Sequence, residues 1–471
     1  MPPFCTARFT AAPFAAAVLG SLLLPLCPAQ TIPSAMPAND GKAAHAGPIV
    51  VLITIDGFPA RALADPRLPM PTLRMLEAQG AHAEAMQPIN PTVTWPNHTA
   101  LITGVNAATH HVMANGLIRF PADGTAPVVE PWVPKAELVH AETLYEALAK
   151  QGMTTGQVDW VAIYGAAGVQ WQFGEKPEPD GPIAKELIAA HLVTREQIAG
   201  FSEDSSAAWR DQVWTEAAVD ILTRHTPNLL LLHLLETDSL QHEYGPLTPA
   251  AFAAYAYADA CIRRVVDAAR EAGVLDRTTF VLASDHGFAS YTHTLRPNAV
   301  LLQQGLLQNE HGTVHGNVWV KAEGGAAEVF IRDPAQKASL LPRLRSAFSA
   351  VPGIEAVYSN AEAQQIGIPL LAATDQAPDL YLAARPDYAF GDDAALPVEQ
   401  DGAPRGQHGY LNTDPDMNAL LILSGAQVRA GVNLGRITNL QVAPTLAQIL
   451  GVALPAAKAA PLGQALKTGG R

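Results

Sequence analysis

Three aspartates in this sequence share one setting: each closes a continuous apolar run. Asp56 ends "PIVVLITID", Asp238 follows "NLLLLHLLET", and Asp285 follows "TTFVLAS". Two of them have an imidazole close by, His242 four residues after Asp238 and His286 next to Asp285. A carboxylate and a histidine at i, i+4 stand one helical turn apart on one face and can hold one ion. Adjacent Asp285 and His286 suit a loop at a strand end, where both side chains can turn into one crevice. A further histidine, His408, lies in the glycine-flanked stretch "GQHGY". Any one of these aspartates alone reads as a turn or capping residue. Three at one sheet edge would repel one another unless cations compensate. Nitrogen and carboxylate ligands together suit Zn2+ best, with Mn2+ or Fe as competitors. Two such ions about 4 Å apart form a clamp for in-line displacement at phosphorus.

The attacking group is sought in "NPTVTWPNHTALITG", Asn90 to Gly104. Thr94 stands two residues before Pro96, which reads as the first residue of a helix. Its hydroxyl is either a helix cap or a nucleophile. Thr92 is a rival hydroxyl two residues upstream, and His98 falls inside the helix, where a structural role is the simpler reading. Asn115, in "MANGL", is on local grounds an Asn-Gly turn.

These residues need elements to hold them. The three apolar runs have strand length and no alternation, a pattern of burial on both faces and hence of a largely parallel sheet covered by helices. Helical patterns separate them at Ala141 to Gly152, Ala208 to His225 and Ala258 to Val274. The alternation predicts a doubly wound α/β architecture, in which ligands collect at the carboxyl ends of the strands. The chain has 471 residues, 48% of them apolar and 16% charged, enough to bury a large core. Its formal net charge of −14 argues against a nucleic-acid-binding surface. Residues 1–29 have the layout of a secretory leader, with Arg8 before an apolar run that Pro13 and Pro25 interrupt. That run is short of a membrane span, so an exported, periplasmic or secreted protein without a permanent anchor is expected. Removal of the leader leaves Cys261 alone, and no internal disulfide is then possible.

The order Asp…Thr-x-Pro-Asn-His…Asn-Gly…Asp-x-x-x-His…Asp-His-Gly…His-Gly-Tyr, from Asp56 to His408, resembles the nucleotide pyrophosphatase/phosphodiesterase branch of the alkaline phosphatase superfamily. The closing "NLQVAPTLAQILGV" is similar to the helix that ends many members. The resemblance implies an alkaline-phosphatase-like three-layer αβα fold over residues 30–471, with a smaller inserted cap region at about 296–405. It implies two Zn2+ ions, one held by Asp56, Asp285 and His286 with the Thr94 oxygen as reactive ligand, the other by Asp238, His242 and His408. It further implies that Thr94 attacks phosphorus to give a phosphothreonine, and that Asn115 donates to a non-bridging phosphoryl oxygen. On this pattern Thr94 is preferred to Thr92, because the family places the nucleophile directly before the aromatic-Pro pair.

The implied substrate is a small phosphate diester or a nucleotide. Threonine-dependent phosphomonoesterases of the superfamily carry a Lys-x-Arg pair, whereas Val158 to Trp171 here holds no lysine or arginine. Trp160 and Tyr164 in that stretch suit a stackable or apolar leaving group, with ordinary core packing as the alternative. The sulfatase pattern Cys-x-Pro-x-Arg is absent. A threonine-dependent phosphomonoesterase, a phosphonoacetate-type hydrolase and a metal-binding protein without catalysis are the competing readings.

Overall fold

Valine, isoleucine and leucine fill the strand Ile49–Ile55, and all seven of its residues are buried. Alternate side chains enter different cores: Ile49, Val51, Ile53 and Ile55 face one layer of helices, Val50 and Leu52 the other. Burial on both faces is what an unbroken apolar run produces. The computed structural model describes residues 47–203 and 205–467; the expected leader at 1–29 lies outside them.

The central sheet has eight strands. Their order is Val432–Asn433, Ala81–His82, Leu421–Gly425, Thr278–Ala283, Ile49–Ile55, Leu229–Leu234, Thr155–Val158 and Trp171–Phe173. Pairing is parallel from Thr278–Ala283 through to Trp171–Phe173, and Leu421–Gly425 runs antiparallel to both of its neighbours. This is the α/β, largely parallel, three-layer architecture expected from the sequence.

Register decides where the chemistry goes. Ile55 pairs with Leu234, and Thr54 pairs with Ala283. Asp56, the Leu235–Asp238 turn and Asp285 therefore leave the sheet at one edge. The segment after Leu234 winds into the helix Glu236–Tyr244, which carries Asp238 and His242. Its first turn is capped from another helix: the buried Asp211 carboxylate accepts the N–H groups of Leu235 (2.8 Å) and Glu236 (3.0 Å).

The helix carrying Thr94 spans Thr94–Thr103, so it starts two residues before Pro96. A proline is tolerated there because first-turn N–H groups have no partner within the helix. All ten residues of this helix are buried. The pattern expected from Ala258 is a longer helix, Pro249–Glu271, opened by a Thr248 cap and proline at its first position.

Between His286 and His408 the chain builds further sheets. Ala289–Leu295 pairs antiparallel with Glu399–Gln407, the strand that leads into His408. An antiparallel sheet follows, in the order Val318–Glu323, Ala326–Ile331, Leu380–Ala384 and Ile354–Ser359. One face packs on the helix Lys337–Ser349 through Leu340, Leu344 and Phe348. From the other face Ala326 and Tyr381 pack with Ala100 on the Thr94 helix and with Ala107 and Met113. Among the described residues no helix is long and apolar enough to cross a membrane.

Candidate active site

The sheet edge brings the sequence-selected aspartates and histidines into one crevice. Two groups of ligand atoms lie within 4.8 Å of one another: Asp56, Asp285 and His286, and Asp238, His286 and His408. His286 thus stands within reach of both groups, although the family resemblance assigned it to the first alone. His242 joins through Asp238, with Nε2 3.3 Å from Asp238 Oδ1.

Asp56 and Asp285 each have one oxygen held by the protein and another left over. Asp285 Oδ1 accepts the backbone N–H groups of Gly57 (3.1 Å) and His286 (3.0 Å). Asp56 Oδ2 accepts His233 Nε2 at 3.0 Å. Asp56 Oδ1, Asp238 Oδ1, Asp285 Oδ2 and His286 Nε2 are buried and have no hydrogen-bond partner. A buried polar atom without a partner costs about 1–3 kcal/mol, and more if charged. Four such atoms in one crevice fit a site built for cations.

The histidines agree. His286 Nδ1 lies 3.1 Å from the Gly287 carbonyl, His408 Nδ1 3.0 Å from that of Thr92, and His242 Nδ1 3.3 Å from that of Gly406. A ring that donates Nδ1–H to a carbonyl keeps its lone pair on Nε2, the tautomer of a metal ligand. Burial, with His286 and His242 alongside, holds the His408 pKa well below the usual imidazole range, which keeps that lone pair free. Burial raises the Asp56 carboxyl well above its ordinary value, and the charges of Asp285 and Asp238 add to the effect. The donor set therefore fits divalent metal ions.

Gly57 makes the first turn possible. Its φ is +66°, and a Cβ there would lie 2.6 Å from the Phe288 ring. Gly409 does the same for the His408 loop, with φ +86° and a would-be Cβ 1.7 Å from the Glu323 carbonyl oxygen. That loop is also tied down by Gly325 N–H on the His408 carbonyl (2.8 Å) and Gly409 N–H on the Thr92 carbonyl (3.1 Å).

Thr94 opens its helix at 7% exposure. The next N–H, of Trp95, donates to Asn115 Oδ1 at 3.0 Å. Asn115 thus caps this helix from an adjoining loop, and with its oxygen engaged it keeps Nδ2 as a donor. Thr92, the rival hydroxyl, is spent on structure: Oγ1 donates to the Tyr410 carbonyl at 2.6 Å. His98 is fully buried, with Nε2 2.8 Å from Thr54 Oγ1, Nδ1 2.9 Å from the Thr94 carbonyl, and Nδ1 3.5 Å from Asp285 Oδ2.

Beside the crevice is a cavity of about 390 Å³ whose walls include Trp95, Trp132, Trp160, Tyr164, Phe173 and Glu175. Trp160 and Tyr164 both line it, Trp160 almost wholly buried with its ring edge-on to His98 and Tyr164 58% exposed. Trp160 is thus packed in the core, the alternative to a leaving-group contact, and also lines the cavity.

Two site residues escaped the sequence reading, His233 and Asp159. His233 lies within the apolar run "NLLLLHLL", and a polar residue inside a doubly buried strand is the one signal that could have exposed it.

Comparison with known proteins gives a consistent pattern. The sequence model of the type I phosphodiesterase / nucleotide pyrophosphatase family matches residues 50–411. Human ectonucleotide pyrophosphatase/phosphodiesterase family member 1 is 24% identical over 244 residues, 51% of this chain and 23% of that protein. Venom phosphodiesterase of Naja atra is 20% identical over 242 residues, 50% of this chain and 26% of that protein. The match thus spans about a quarter of the length of these relatives. An uncharacterized pyrophosphatase/phosphodiesterase of Schizosaccharomyces pombe is 23% identical over 426 residues, covering 85% of this chain and 76% of the relative. Among solved structures, an inactive threonine-to-alanine variant of murine ectonucleotide pyrophosphatase / phosphodiesterase 5 in complex with AMP superimposes with a TM-score of 0.68 at 15% identity. The superposition covers 89% of this chain and 100% of that one.

The brace at Thr92 is testable apart from chemistry. Thr92→Val removes a buried hydrogen bond and leaves the Tyr410 carbonyl unpaired, so unfolding free energy in urea should fall by about 1–3 kcal/mol. An unchanged midpoint would show that the bond does not hold the His408 loop.

Proposed function

Since this chain belongs to the type I phosphodiesterase / nucleotide pyrophosphatase family, we propose that it is an exported, two-zinc hydrolase of phosphodiester or phosphoanhydride bonds, acting through a phosphothreonine on Thr94. The observation that carries the reading is the convergence of four partnerless buried ligand atoms, from Asp56, Asp238, Asp285 and His286, at the sheet edge. In this assignment Asp56, Asp285 and His286 hold one ion beside Thr94, and Asp238, His242 and His408 hold the other. When bound, the ions supply Lewis acidity, lowering the pKa of a hydroxyl and stabilising charge on phosphoryl oxygens.

The chain's own groups do the rest. Thr94 Oγ1 bonds to phosphorus as its proton passes to solvent water, while the bond from phosphorus to the leaving oxygen breaks and that oxygen departs with the electron pair. Water then attacks the same phosphorus and loses a proton, the bond from phosphorus to Oγ1 breaks with its electron pair on oxygen, and Oγ1 takes up a proton to restore Thr94. The Asn115 amide nitrogen donates to a non-bridging oxygen, and its fixed orientation avoids reorganisation as charge develops there. Asn97 steadies the approach to Thr94: its Oδ1 accepts Ile89 N–H (2.8 Å) and its Nδ2 donates to the Pro91 and Val93 carbonyls (2.9 and 3.0 Å). The aromatic cavity seats the group esterified to phosphorus, and stacking on such rings favours a flat or apolar leaving group.

Thr94→Ala is expected to keep both zinc ions and to lose at least about a thousandfold in turnover, the scale seen when a nucleophile is removed. A variant retaining a tenth or more of the activity would sink the nucleophile assignment. The zinc-loaded protein should hydrolyse bis-p-nitrophenyl phosphate in preference to p-nitrophenyl phosphate. The opposite preference would favour a phosphomonoesterase. Export predicts that the mature chain starts near Gln30, and N-terminal sequencing that finds Met1 on the purified native protein would contradict it.

A further inference from the structure

We propose that His233 and Asp159 are a positioning pair that presents Asp56 to its metal position and ties that presentation to the wall of the aromatic cavity. The inference rests on the metal assignment above and goes beyond it, since neither residue is a ligand in that assignment.

The geometry is a chain of three side chains. His233 Nε2 lies 3.0 Å from Asp56 Oδ2, and His233 Nδ1 lies 3.1 Å from Asp159 Oδ2. The three residues are between 1% and 3% exposed, so no bulk water competes for these bonds. A carboxylate offers two equivalent oxygens and can rotate between them. A donor fixed on Oδ2 removes that freedom and leaves Oδ1, the partnerless atom, facing the crevice. His233 can act as such a donor only if its own ring is held, and Asp159 holds it from the other nitrogen. The rest of the ring is packed as well, edge-on to His98 with centroids 4.6 Å apart.

Two features argue that Asp159 is placed for this task. Its φ is +53°, in the left-handed region that L-residues seldom adopt, although aspartate and asparagine tolerate it best. Strain of that kind persists only where the surroundings enforce it. Here the enforcing contacts are the Asp159 N–H on the Phe173 carbonyl (3.0 Å) and the Trp160 N–H on Gln157 Oε1 (3.1 Å). Phe173, Gln157 and Trp160 all line the cavity. The same backbone turn therefore sets Trp160 into the cavity wall and Asp159 beneath His233.

An ordinary buried ion pair would stabilise the fold and nothing more, so the test must separate folding from metal geometry. Asparagine at position 233 places an amide nitrogen near Nδ1, toward Asp159; glutamine places it near Nε2, toward Asp56. Zinc affinity of the two positions is measured by competition with a chromogenic chelator, alongside thermal denaturation and kcat and KM on bis-p-nitrophenyl phosphate. His233→Asn should weaken one of the two zinc positions by about 10–100-fold, the usual cost of losing an outer partner of a ligand. His233→Gln should recover most of that loss, and kcat should follow zinc affinity while KM changes little. Equal zinc affinity in wild type and both variants, or losses that follow the melting temperature regardless of which amide is present, would overturn the proposal. Should His233→Asn fail to fold, Asp159→Asn, nearly isosteric, carries the test: it should weaken the same single position, and unchanged zinc binding would refute the pair. The zinc titration needs no substrate. A protein that binds two zinc ions yet cleaves no diester would defeat the proposed function and leave this inference standing.

Discussion

Crowding three carboxylates into one crevice is the constraint that the rest of this molecule answers. An unpaired buried charge costs several kcal/mol, and the buried Asp56 and Asp285 meet the half-buried Asp238 at the edge of a sheet. The sheet can hold them because it is cohesive elsewhere. Each fully buried leucine or isoleucine contributes about 1.5–3 kcal/mol, and the strands behind the acids are filled with such residues. The parallel register then leaves the acids no route apart, since their strands end side by side.

The histidine His408 poses a different problem, because its loop arrives from more than a hundred residues beyond Asp285. The antiparallel sheets in between supply the fixing points. Strand Glu399–Gln407 pairs back onto Ala289–Leu295, which returns the chain to the crevice. The turn at Gly324 and Gly325 then meets the loop so closely that a side chain on Gly409 would collide with the Glu323 carbonyl. From below, Thr92 accepts the His408 ring and Gly409 N–H on its carbonyl and donates its hydroxyl to Tyr410. Thr92 and Thr94 thus divide their work: one threonine aligns a histidine loop, and the other opens the helix at the crevice.

How much of this the sequence discloses depends on whether a feature is local. Strands buried on both faces write themselves as unbroken apolar runs, so Ile49–Ile55, Leu229–Leu234 and Thr278–Ala283 are legible, and so is their shared edge. The helix at Thr94 is legible to within two residues; the error came from treating Pro96 as a start when a proline is equally allowed later in the first turn. The strand Thr155–Val158 was missed because "TGQV" lacks apolar character, although all four residues are buried. That omission hid Asp159, and without Asp159 the polar residue inside "NLLLLHLL" had no partner to explain it. Their contact joins residues 74 apart in the chain. No periodicity or motif encodes such a meeting; only the order of strands in the folded sheet does.

A consequence lies in how the ligands are held. Asp56 and Asp285 each give one oxygen to a protein donor, and all three histidines turn Nδ1 to a backbone carbonyl. What remains for a cation is one atom per residue, aimed by its supports and not by the ion. Those supports are shared with the cavity: Trp95, whose N–H is bonded to Asn115, follows Thr94 directly, and Trp160 follows Asp159 directly. Neither tryptophan can shift its backbone without disturbing the residue before it. The aromatic wall and the acid crevice are therefore set by the same two stretches of chain, so that on the proposed reading a change in one is carried to the other.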